Sequence, residues 1–252
     1  MRPLFSSEAT SEKMLVKTKA IVFSAIKYGE ADLIVKCFTE KAGLKTYLLR
    51  GVLKSKKGKI KASLFQPLTQ LELEANHRDR GTMDYLREAR ILQPYSSLHT
   101  NIMKSTVTMF LSEVLRNSIK EEEANQGLYD FLENSLSWFD AHEKTANFHL
   151  LFLVKLTRYL GFYPDDEHLD KPVFNLIDGT FQEVETNNDC ITDENVLLLQ
   201  QFLAADFEEG PNIRMNQVSR SHFLLMLLKY YEIHLQGFQK LKSLSVLNEI
   251  YS

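Results

Sequence analysis

Between residues 14 and 93 the apolar positions tend to recur every second residue, the period of a half-buried β-strand. Residues 15–23 (LVKTKAIVF) predict a first strand, followed by a break at Lys27-Tyr28-Gly29-Glu30. Residues 31–39 (ADLIVKCFT) predict a second, with Leu33, Val35 and Cys37 on one face and Ile34, Lys36 and Phe38 on the other. A connection at 40–43, whose Gly43 accepts positive φ without steric cost, leads to a third strand over 44–50. Residues 65–74 and 83–92 supply the fourth and fifth around a polar tip at 76–81, and Pro67 belongs near a strand start or edge. Five short strands with no helical pattern long enough for a crossover predict a small closed sheet. A five-stranded β-barrel of the oligonucleotide-binding (OB) type fits best, and periodicity leaves an SH3-like barrel open.

From Ser97 onward the spacing becomes helical. Ile102, Val107, Phe110, Leu111, Val114 and Leu115 form one apolar stripe, and Leu128, Phe131, Leu132, Leu136 and Phe139 form a second. Residues 148–160 are apolar nearly all round, which predicts a helix buried at the centre of a bundle, ended by Gly161 and Pro164. Residues 165–191 read as loop, with Asp178-Gly179 as a turn. Thr192 or Asp193 caps a helix reaching about Ala205, residues 219–234 form another, and 240–250 a last one. The fold class is therefore α+β: a flexible extension over 1–13, an OB-fold domain over 14–93 and a mainly α-helical domain over 94–252.

Composition adds a soluble globular core and excludes a membrane span, since no apolar run approaches about 18 residues. The first 13 residues lack the continuous apolar centre of a signal peptide. Two cysteines, Cys37 and Cys190, far apart in sequence, fit a reducing cytoplasm. Charge changes the picture more. Residues 14–93 carry 16 Lys and Arg against 8 Asp and Glu, whereas residues 94–252 carry 12 against 23. The two halves face different partners.

Within the basic half, Arg50, Lys54, Lys56, Lys57, Lys59 and Lys61 fall in LLRGVLKSKKGKIKASL (48–64), which holds no acidic residue. A cationic loop between strands suits a polyanion and makes these six residues the candidate DNA-binding set; a solubilising tip is the plainer use of such a cluster. Phe23, Phe38 and Tyr47 suit either an exposed face on which bases stack or the core, so the weight rests on the lysines.

These residues, taken in order, resemble the RecO family of bacterial recombinational-repair proteins. The matching pieces are Gly29-Glu30, Phe38-Thr39-Glu40-Lys41-Ala42-Gly43, Arg50-Gly51 and the cluster from Lys54 to Lys61. Leu64-Phe65-Gln66-Pro67-Leu68 and Tyr159-Leu160-Gly161-Phe162-Tyr163-Pro164 complete them. The resemblance implies an OB barrel joined to a helical domain in a cytoplasmic, nucleoid-associated protein without catalytic activity. It implies binding of single- and double-stranded DNA, annealing of complementary strands and, with RecR, loading of RecA onto DNA coated by single-strand-binding protein (SSB). It also implies that the helical half docks the acidic, apolar C-terminal tail of SSB. A nearby cation is then needed for the terminal carboxylate, and Arg116 with Lys120, or Lys155 with Arg158, are the candidates. One departure stands out. Many relatives carry four zinc-binding cysteines after the Leu-Gly turn, but 163–192 holds only Cys190, with His168 as a possible companion. Tetrahedral structural zinc takes four N or S ligands, so the loop-rich stretch 162–191 stands in place of a zinc site and no cofactor is expected.

Enzymatic readings fail on spacing. Six residues rather than four lie between Gly51 and Gly58-Lys59, and Ile60 follows in place of Ser or Thr, so the phosphate-loop pattern is not met. The seven histidines form no HExxH pair, and the acidic residues at 165–167, 189 and 193–194 show no spacing suited to paired acid/base work. Two classes remain: a DNA-binding and annealing mediator, or an adaptor whose basic face meets an acidic protein.

Overall fold

The computed structural model describes residues 14–55, 60–77 and 83–250. Their contacts divide into two units, one built from residues up to Pro94 with Glu122–Ala124, the other from Tyr95–Glu121 with the residues from Asn125 on.

The first unit is an antiparallel five-stranded sheet of OB type. Its strands are β1 (Met14–Tyr28), β2 (Asp32–Thr39), β3 (Gly43–Leu49), β4 (Gln70–His77) and β5 (Tyr85–Ile91), in the order β3-β2-β1-β4-β5. Alternation sends Leu33, Val35 and Cys37 of β2, Tyr47 and Leu49 of β3 and Leu71, Leu73 and Ala75 of β4 into one core, with Val22 of β1 and Phe65. The edges meet at one parallel bridge, Tyr47 of β3 with Asp84 just before β5, rather than along a full ladder, so the sheet is not the closed barrel expected. Leu48 N–H donates to Asp84 O (3.0 Å) and Asp84 N–H to Thr46 O (2.8 Å).

Two strands differ from expectation. β1 runs through the predicted break to Tyr28, because a register shift between Val22 and Ser24 lets Ile26 pair with Ile34 and Tyr28 with Asp32. β4 starts five residues late, because Ala62–Phe65 winds into a 3-10 turn and Leu68 takes φ 60°. Phe23, Phe38 and Tyr47 are not exposed, at 1%, 1% and 0% accessibility. Phe23 lies at the register shift, where the alternation fails, and stacks on Phe38 at 5.8 Å. Tyr47 points into the barrel, its hydroxyl 2.9 Å from His77 Nε2.

The second unit is mainly helical: α1 (Ile102–Ser118), α2 (Gln126–Ala141), α3 (Phe148–Leu160), α4 (Asp193–Ala204), α5 (Gln217–His234) and α6 (Leu244–Ile250). Asn101, Asn125 and Asn216 cap α1, α2 and α5, each accepting N–H bonds from the first turn. The largely apolar α3 is buried along most of its length, His149 included, and Gly161 ends it at φ 84°. Burial pushes the His149 imidazole down to about 3, so it packs as a neutral ring. The stretch expected as loop forms a small sheet of β6 (Val173–Asn175), β7 (Thr180–Gln182) and β8 (Cys190–Ile191), in the order β7-β6-β8. Side-chain amides hold it: Asn175 Nδ2 donates to Asp178 (2.7 Å) and Thr186 (3.2 Å), and Gln182 Nε2 donates to Thr186 (3.0 Å) and Cys190 Sγ (3.4 Å). Among the described residues no three His, Cys, Asp or Glu side chains converge on a metal position, and no helix is long and apolar enough to cross a membrane.

Candidate nucleic-acid interface

Beyond the Tyr47–Asp84 bridge no pairing joins β3 and β5 among the described residues, and the segment after β3 begins beside this opening. Gly51 turns the chain at φ 68°, a backbone region that suits glycine. Its N–H donates to Asp32 Oδ1 (2.7 Å), its carbonyl accepts from Lys54 and Ser55, and Leu53 N–H donates to Ala31 O (2.9 Å). The base of the loop is thereby tied to the start of β2. On the return, Ile60, Ala62 and Leu64 pack against the barrel core. Lys56, Lys57 and Lys59 lie between these two anchors, outside the described residues.

The described ends of the loop help line a groove of about 350 Å³, formed by Arg50, Val52, Ser55, Ile60, Tyr85 and Arg87, among others. Arg50 lies 5.5 Å from the Tyr85 ring centre and donates to its hydroxyl (3.2 Å). This contact pre-positions a planar cation whose other N–H groups suit phosphate oxygens. Arg87, two residues beyond Tyr85 on β5, is exposed. Lys61 is exposed too, while Lys54 pairs with Glu30 at 2.8 Å, both side chains largely in solvent. Such a pair contributes about 0–1 kcal/mol and yields readily to a phosphate. Elsewhere on the sheet Lys17 of β1 pairs with Glu74 of β4 (3.4 Å) and Arg90 of β5 with Glu72 of β4 (2.6 Å), so these two cations are matched and offer less to a polyanion.

A second feature adjoins the basic loop. Ile26, Ile34 and Leu48 are register partners across β1, β2 and β3, so their side chains share the outward face. Ile26 and, farther along β1, Tyr28 are 52% and 54% exposed. Lys36 flanks this band, paired with Ser24 and Thr46. An apolar strip with one open aromatic ring and cations at its margins has the composition that unstacked bases take. Sequence reasoning placed the stacking rings at Phe23, Phe38 and Tyr47 and left Tyr28 in a turn. The alternation of Ser24, Ile26 and Tyr28 was the signal that would have found it. Tyr85 was missed because its partner, Arg50, is 35 residues away.

In each of the two alternative cation pairs suggested for a partner's carboxylate, at least one member is engaged within the helical unit. Arg116 pairs with Glu113 (3.7 Å), and Lys120 Nζ donates to Gln236 O (3.1 Å), so both turn toward neighbours in their own unit. Lys155 Nζ donates to Leu203 O (2.9 Å), and burial, with Arg158 nearby, pushes its ammonium below the usual range. Arg158 is exposed, over the Tyr163 ring at 4.2 Å.

Comparison with known proteins agrees with this architecture. Residues 14–95 match the family model for the N-terminal part of recombination protein O, and residues 99–245 the model for its C-terminal part. The DNA repair protein RecO of Christiangramia forsetii is 59% identical over 238 residues, covering 94% of this chain and all of that protein. Proteins of the same name from Flavobacterium psychrophilum and Bacteroides fragilis are 44% and 35% identical, over 95% and 94% of this chain and their full lengths. With both halves matched in order and relatives aligned from end to end, the chain belongs to the RecO family.

Proposed function

We propose that the protein is a non-catalytic DNA-binding member of the recombinational-repair machinery. In this reading it binds single- and double-stranded DNA, anneals complementary strands and, with RecR, helps RecA load onto SSB-coated DNA. The observation that carries it is the groove beside β5 lined by Arg50, Ser55 and Arg87, with Arg50 held on Tyr85 at the foot of the lysine-rich stretch and the apolar strip of Ile26, Tyr28 and Ile34 on the same sheet. Annealing brings two polyanions together, and a cationic surface screens their repulsion without reading bases. Family membership supports the roles of RecR, RecA and the SSB tail, and Arg158 is our choice for the tail's terminal carboxylate.

Salt dependence tests the reading. Five phosphate contacts to single-stranded DNA give a log–log slope near −3.5, at about −0.7 per contact. Replacing Lys56, Lys57 and Lys59 by Glu is expected to weaken binding across all sequences, flatten the slope by roughly 2 and abolish annealing with the melting curve unchanged. A folded triple variant that binds and anneals like the parent would show the loop to be a solubilising tip, leaving an adaptor for an acidic protein as the better reading.

A further inference from the structure

The acidic helical unit carries an aromatic surface that the DNA reading does not use. Phe207, in the turn after α4, bridges Phe131 and Trp138 of α2, its ring centre 6.3 Å from the first and 5.8 Å from the second. All three rings are only partly buried. Trp138 and Phe207 rest on the fully buried Phe148, 5.9 and 5.6 Å away, and Phe131 rests on the fully buried Phe152 at 5.1 Å. The floor is therefore rigid, and its outer edge is open.

Acceptors surround that edge. Asn134 is three residues after Phe131 and four before Trp138, so helical spacing puts it on the same face of α2, and the exposed Asp130 lies one turn earlier. One Asp130 oxygen accepts the Gln126 amide (2.8 Å). On the other side, Asp206 Oδ1 accepts the N–H groups of Glu208 (2.8 Å) and Glu209 (3.0 Å), which shapes the turn that presents Phe207. Three acidic residues thus flank Phe207 in the chain. Glu208 Oε1 accepts the Trp138 indole N–H (2.7 Å), yet the Glu208 side chain remains 71% exposed. Two nearby basic side chains have partners in the same unit: Lys155 gives its ammonium to Leu203 O, and His142 stacks on Trp138, 4.0 Å from Glu208.

We infer that this surface, centred on Phe131, Trp138 and Phe207 with Asp130 and Glu208 at its margins, docks an arginine-bearing segment of a partner protein. Charge complementarity selects a cationic occupant and excludes the DNA backbone. Partly exposed aromatic rings beside carboxylates favour arginine over lysine, because a guanidinium stacks on a ring and pairs with a carboxylate at the same time.

Trp138 is the chain's only tryptophan, so its emission reports on the surface directly. The probe is a capped peptide, GRLRGLRG, titrated into the full-length protein at low salt, with its lysine counterpart as comparison. We expect a saturable change in Trp138 emission, weaker binding of the lysine peptide, and about tenfold weaker binding to the Asp130→Asn/Glu208→Gln variant. Phe207→Ala is expected to weaken binding as well. The amides at 130 and 208 keep acceptors for the Gln126 side chain and the indole N–H, so the double variant changes charge and little else. The control, Glu185→Gln/Glu232→Gln, alters two exposed carboxylates elsewhere in the unit and should leave affinity within about twofold. Equal losses in both pairs would reduce the attraction to diffuse charge and overturn the proposal. So would binding of a labelled peptide without any change in Trp138 emission.

Discussion

Asp140, near the C-terminal end of α2, is where helix dipoles disfavour a carboxylate, so its position needs a compensating set of donors. The stretch before α1 supplies them. Ser96 N–H (2.8 Å) and Oγ–H (2.9 Å), Ser97 N–H (2.8 Å) and Leu98 N–H (2.9 Å) donate to the Asp140 carboxylate. The buried Lys104 ties the same corner, donating to Ser97 Oγ (2.7 Å) and Asp140 O (2.9 Å). Desolvation pushes the Asp140 carboxyl up, but the N–H bonds from Ser96, Ser97 and Leu98 outweigh it and bring the pKa from 3.8 down to about 2. Nearly two units at 1.36 kcal/mol each set a ceiling near 2.5 kcal/mol, and solvent access to the half-buried group lowers this to roughly 1–2 kcal/mol. Asp140→Asn should lose about that much, and Asp140→Ala about 3 kcal/mol, because it leaves three backbone N–H groups without their acceptor. The sign of the pH dependence follows from a depressed folded-state pKa. The contribution is complete above the unfolded value near 3.8 and is lost as pH falls through about 2. Urea unfolding followed by Trp138 emission reads the helical unit, since Trp138 lies on α2 two residues from Asp140. The gap between parent and Asp140→Asn should be constant from about pH 7 to 5 and narrow between about 4 and 2. A gap under about 0.5 kcal/mol at neutral pH, or one indifferent to acid, would refute the reasoning.

Three further outcomes are expected. Tyr28→Ala should cost about 1–3 kcal/mol of single-stranded DNA affinity in a polarisation assay, with stability held within about 0.5 kcal/mol; an equal loss for duplex DNA would argue against base stacking. Gly179→Ala should destabilise by about 1–3 kcal/mol in thermal melts, because Gly179 sits at φ 68° and a Cβ there would lie 2.7 Å from the Tyr230 hydroxyl, which donates to Phe162 O. In the native protein a maleimide should label Cys190 well before Cys37, since Cys37 is fully buried and desolvation raises its thiol pKa; comparable rates measured by mass spectrometry would contradict the packing of β2.

Family membership and the two-part architecture were legible in the chain itself. Period-two alternation belongs to any half-buried strand, and the run 148–160 is apolar nearly all round with little polar surface to offer water, so both patterns follow from local chemistry. The Gly161 stop, realised at φ 84°, and the contrast between a basic first half and an acidic second are equally local. The choice of exposed rings was not. A two-residue period says that side chains alternate, but a single register shift at Val22–Ser24 buried Phe23 and carried β1 on to an open Tyr28. Nor does the sequence announce that Arg50 would rest on Tyr85, that Asp140 would hold Ser96–Leu98, or that Lys120 and Lys155 would spend their ammonium groups on backbone carbonyls. These contacts join residues 35 to 116 positions apart. Local propensity carries no term for them; they exist because packing the apolar stripes brings particular polar ends together, and buried or half-buried polar groups then take whichever partners that packing supplies.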